Sequence, residues 1–144
     1  MYKNRALKIM ASTDNKTIYL SLLTGLTLGT SSWAIAPFVS NSFEPFDSEP
    51  AFYIGQSFLC LAAFMIGSIY GMKPLFVFIL GVYLSNNIYP FIFGTSDSRA
   101  WSGLGLITVL FLCIYPLFAG ILGKICNLVW AKFTHNKPLN QDAP

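Results

Sequence analysis

Residues 17–39 run for 23 positions without a charge, and this constrains the chain more than any other feature of its sequence. At ~1.5 Å per residue they form a helix about 34 Å long, enough to cross a hydrocarbon core of about 30 Å with some tilt. Hydrocarbon offers no water to backbone amides and carbonyls, so a helix that pairs them internally is the form open to such a run. The pattern recurs over residues 51–72, 74–93 and 101–130, where the single charge, Lys124, lies close enough to one end to snorkel to the interface. Only 10% of the residues are charged, against about a quarter in an ordinary soluble domain, which is too few to wet a water-facing surface. The expected fold is all-α: an integral membrane four-helix bundle with helices at about 17–39, 51–72, 74–93 and 101–130. A basic segment, 1–16, precedes it and a polar tail, 131–144, follows.

The connections carry the remaining charges. Residues 40–50 hold Glu44, Asp47 and Glu49 beside Pro45 and Pro50, and residues 94–100 hold Asp97 and Arg99. Between them the tight stretch Gly71-Met72-Lys73-Pro74 joins two antiparallel helices, with Pro74 suited to a first helical turn. Trp101 and Trp130 bracket the last helix about 43 Å apart at ~1.5 Å per residue, the spacing of two interfacial anchors. Lys3, Arg5, Lys8, Lys16, Lys73, Lys124, Lys132 and Lys137 fall on one side of this arrangement and Arg99 on the other. The positive-inside rule then predicts both termini in the cytoplasm, N-in/C-in, for a multi-pass protein of a bacterial inner (plasma) membrane. A cleaved signal peptide competes for the first helix, because Ala34-Ile35-Ala36 follows basic and apolar stretches. Its uncharged run exceeds a signal core of about 7–15 residues, and Pro37 directly after the triplet disfavours cleavage.

Several kinds of chemistry lack their residues. Cys60, Cys113 and Cys126 are widely spaced within apolar stretches and read as small buried residues; His135 sits in the tail. No metal and no cofactor is expected. No Asp, Glu, Lys, Arg or His lies in the central part of any helix, so a proton relay has no candidate, and no nucleophile and base occur at a catalytic spacing. The three acids of the first loop lack the glycine and ligand rhythm of a calcium loop and read as a solvated turn, with Phe43 and Phe46 dipping into the interface. A nucleic-acid partner is not implied. The expected partners are the lipid bilayer and either another membrane protein or a second copy of the chain.

Uncharged polar residues gather at one depth. Measured at ~1.5 Å per residue, Ser31 and Ser32 lie about 21–22 Å from the cytoplasmic boundary and Asn86 and Asn87 about 18–20 Å. Gln56 and Thr108 lie about 8–9 Å below the outer boundary, the same level in a core of about 30 Å. Pro37 and Pro90 remove helical hydrogen bonds to the carbonyls of Trp33 and Asn86 nearby, and Pro116 does so to Leu112. Such a layer either lines a solute site or bonds the helices to each other, and the second is the favoured reading. Small residues at helical spacing, Gly25 and Gly29, Gly67 and Gly71, Gly120 and Gly123, permit close helix approach, within the chain or to a partner helix. No motif ties the sequence to a family. The expected function is that of a non-catalytic subunit or accessory or assembly factor of a membrane complex. The alternative is a small transporter or channel for a neutral or hydrophobic solute, lined by the polar layer.

Overall fold

The computed structural model describes the backbone of residues 2–40, 48–94 and 102–135, and side chains within 15–40, 48–94 and 105–134. It holds four helices: α1 (Tyr2–Val39), α2 (Glu49–Ile69), α3 (Met72–Phe93) and α4 (Ser102–His135). Each contains a stretch long and apolar enough to cross a membrane, Asn15–Val39, Glu49–Ile69, Met72–Phe93 and Gly105–Thr134. The loop residues Phe43, Glu44, Pro45, Phe46, Asp47, Asp97 and Arg99, the anchor Trp101 and the tail from residue 136 lie outside the described residues.

The helix ends depart from the expected boundaries for local reasons. α1 is one helix of 38 residues that continues back through the basic segment to Tyr2, because no glycine or proline interrupts residues 2–24. At ~1.5 Å per residue it is about 57 Å long, so nearly half lies beyond a core of about 30 Å. α4 continues five residues past Trp130 to His135. The α2–α3 turn falls at Tyr70 and Gly71, and α3 begins at Met72, which puts Pro74 in its first turn. Gly71 has φ +88, a left-handed conformation open to glycine at little cost. It is therefore a turn residue, a correction to its expected place on a helix-packing face. The prolines break nothing: α1 runs two residues past Pro37, α3 three past Pro90, and α4 passes unbroken through Pro116.

Close packing is made by two pairs of parallel helices. Gly25 of α1 lies so near α3 that an added Cβ would collide with the Phe78 carbonyl, and one on Gly29 would collide with the Ser85 hydroxyl. A Cβ on Gly81, reaching back from α3, would come 2.7 Å from the Leu22 carbonyl. Positions rise together along both helices, so α1 and α3 point the same way. α2 and α4 repeat the device: Gly67 meets the Gly120 carbonyl, Gly123 the Phe64 carbonyl, and Asn127 Nδ2 donates to the Ser68 carbonyl at 2.5 Å. α1 touches α2, and α3 touches α4, more lightly; among the described residues α1 and α4 are not neighbours. The bundle thus runs α1, α3, α4, α2 around its axis. The N-terminal half of α1, the α2–α3 turn and the C-terminal half of α4 share one end, which carries Lys16, Lys73, Lys124 and Lys132.

Leu59, Ala63, Leu75, Phe78, Val82, Val109 and Cys113 fill the axis. No more than 33% of any spanning window is buried inside the bundle, and the outward faces present Leu23, Phe58, Phe91, Phe111 and Phe118. An apolar surface of that extent is at home in lipid.

Candidate functional site

Two of the four helices meet through polar side chains, and a third points an amide at them. The α1–α3 seam that seats Gly25 and Gly29 carries, one turn on, Ser32 of α1 against Asn86 of α3. Ser32 Oγ donates to the Gly29 carbonyl at 2.7 Å and lies 3.4 Å from Asn86 Oδ1, a weaker second acceptor. Asn86 is 3% exposed. From α2, Gly55 brings the backbone in until an added Cβ would stand 3.1 Å from Ser32 Cβ, which lets the next residue, Gln56, reach the axis. The Oε1 atom of Gln56 is buried with no hydrogen-bond partner in the structure. Ser32, Gln56 and Asn86 line a cavity of about 10 Å³ together with Trp33, Phe52 and Leu112.

Half of the expected polar layer is elsewhere. Ser31 faces outward and bonds the Thr27 carbonyl of its own helix at 2.8 Å. Asn87 is half-buried and its amide turns back to the Tyr83 carbonyl at 2.7 Å, while Thr108 is exposed on α4. The cause is angular. Successive helical residues point ~100° apart, so when Ser32 and Asn86 face the axis, Ser31 and Asn87 cannot. Depth along a helix fixes a level but not a direction.

The glycines supply the missing direction. Gly25 and Gly29 pack on α3, Gly67 on α4, and Gly120 and Gly123 on α2, so these faces are filled within the chain. Ser32 follows Gly25 by seven positions and Gly29 by three, which puts it on the glycine-bearing face of α1; reading the two patterns together would have separated Ser32 from Ser31. Unforeseen participants are Gly81, the buried Ser21 and Ser85, Asn127, and Trp33, which is 4% exposed with its ring 6.1 Å from Tyr89. Among these, Ser85 Oγ donates to the Val82 carbonyl at 3.0 Å. The hydroxyls of Thr24, Thr27, Thr30 and Ser40 likewise bond carbonyls of α1, which allows a hydroxyl-rich helix to stand among apolar neighbours.

These features define the class of molecule: an all-helical, multi-pass membrane bundle with a small internal polar knot. No family model, curated protein or solved structure matches the chain.

Proposed function

We propose that the chain is a non-catalytic subunit or assembly factor that receives a transmembrane helix of a partner along the α1–α2 seam. The observation that carries this reading is where the structure leaves space. Among the described residues the polar cavity at the axis has about 10 Å³, whereas two grooves of about 230 and 170 Å³ lie between α1 and α2. Ser21, Thr24, Leu28, Ser31 and Ile35 line them from α1, and Phe58, Ala62, Met65 and Ile69 from α2. Within linings that also include Thr17, Leu20 and Ser32 of α1 and Gly55, Ile66 and Tyr70 of α2, these residues alternate steps of three and four, the rhythm of a seam into which a further helix sets its side chains. The glycine faces are already filled, so this seam is the better candidate for a partner.

Affinity purification in mild detergent is expected to bring a second membrane polypeptide in fixed stoichiometry, and Ala62→Trp, which blocks the seam, to cut its recovery by about tenfold or more. Recovery of a lone homo-oligomer that passes a neutral solute in liposomes, with flux abolished by Asn86→Leu plus Asn87→Leu, would replace this reading with that of a transporter. The proposed address is a bacterial inner membrane with both termini cytoplasmic, supported by the gathering of lysines at one end of the bundle. Reporters fused after Asp47 and after Pro144 are expected on opposite sides of the membrane; equal signals would remove that orientation.

A further inference from the structure

We infer that Ser32, Gln56 and Asn86 hold one buried water molecule at the bundle axis, a bound ligand that ties α1, α2 and α3 together. Four observations converge on it. Gln56 Oε1 is buried and unpartnered, and such an atom within an apolar phase calls for a donor. Rotating the amide would put a donor where the acceptor stands, and water serves either. Asn86 Oδ1 receives only the distant Ser32 hydroxyl, whose single proton is already committed to the Gly29 carbonyl at 2.7 Å. The cavity that these residues line has about 10 Å³, near the ~10–15 Å³ needed for one water, and it has the two or more polar partners a water requires.

The fourth observation concerns the backbone. Pro90 and Pro116 have no N–H, so the carbonyls of Asn86 and Leu112 lose their ordinary helical donors, and both residues line the cavity. A water has two protons to give, so it can serve the Gln56 amide and one further acceptor at a time. A metal cation fits less well, since the side chains offer neutral oxygens and no carboxylate lies in the central part of any span. The hydroxyl head of a lipophile entering from the α1–α2 groove would have to part Ser32 from Gly55, which stand in contact.

Radiolytic hydroxyl labelling of the full chain in lipid nanodiscs made up in H₂¹⁸O reads the site directly, because a bound water yields its radical beside the side chains that line it. Phe52, on the cavity, is expected to take up ¹⁸O about tenfold faster than Phe78, which is fully buried, and Trp33 to be labelled despite its burial. Gln56→Met should lower the Trp33 labelling by about fivefold or more. Phe52 labelled no faster than Phe78 in the unaltered chain would overturn the inference whether or not the variant folds. So would Trp33 labelling unchanged by Gln56→Met, or a lipophile that co-purifies one to one and protects Trp33.

Discussion

Gly25→Val and Gly67→Val are each expected to destabilise the bundle by about 3 kcal/mol or more, whereas Gly105→Val should change its stability by less than about 0.5 kcal/mol. The difference lies in what a new side chain meets. At Gly25 and Gly67 the first atom in the way is a backbone carbonyl, of Phe78 and of Gly120, which cannot swing aside as a side chain does. The helices must separate, and the contacts of the whole parallel pair are lost with them. Among the described residues, a Cβ added at Gly105 would meet no atom of another helix within 4 Å. Gly120→Val should fall between, since its nearest neighbour is the flexible Leu75 side chain, although the Ala63 carbonyl at 3.0 Å limits the relief. Thermal unfolding in detergent, followed by tryptophan fluorescence and circular dichroism, gives the order. Equal stabilities for Gly25→Val and Gly105→Val would mean that α1 and α3 do not pack as described.

Glycine also explains how the chain reaches this arrangement. α2 and α3 are joined by two residues yet pack more closely on α4 and α1 than on each other. A short turn that must leave one helix and start another at an offset uses the left-handed Gly71. Two parallel glycine-lined pairs then dock side by side, and the polar knot forms where α2, from one pair, presents Gln56 to Ser32 and Asn86 of the other.

The sequence carried the helices more legibly than the site. Uncharged runs bounded by charge or proline place four spanning segments, because the cost of a charge in hydrocarbon leaves few alternatives. The helix ends were less readable: residues 2–16 lack breakers, but their charges suggested a separate segment, and a helix is free to leave the bilayer. For the site, depth was computable from residue counts and direction was not. Ser31 and Ser32 share a level, and what turns one inward is contact of Gly25 and Gly29 with a particular neighbouring helix. Which helices would pair was not legible at all, since Gly81, the other half of the α1–α3 contact, sits alone without the four-residue repeat that marks its partners.

Replacing Phe78 by alanine is expected to lower stability by about 2–3 kcal/mol, and replacing Phe118 by alanine by less than about 0.5 kcal/mol. Phe78 is 0% exposed on the axis and Phe118 is 62% exposed on the outer face of α4. In water the transfer of the ring out of solvent would dominate the cost. In a bilayer the separated helices are already in an apolar phase, so that contribution largely vanishes and the cavity with its lost van der Waals contacts remains. The prediction for Phe78 is therefore below the ~3–5 kcal/mol usual for a buried phenylalanine in a soluble protein. Phe118→Asp separates the two solvents more sharply. On a water-facing surface a carboxylate at this place would be harmless, whereas near the middle of a spanning helix it opposes insertion by about 2.5–3.5 kcal/mol. Carbonate extraction of membranes expressing the three variants should leave Phe78→Ala and Phe118→Ala in the membrane fraction and release much of Phe118→Asp. If Phe118→Asp were retained and as stable as the parent chain, the outer face of α4 would not be in lipid, and the physical basis of the bundle would have to be sought in water.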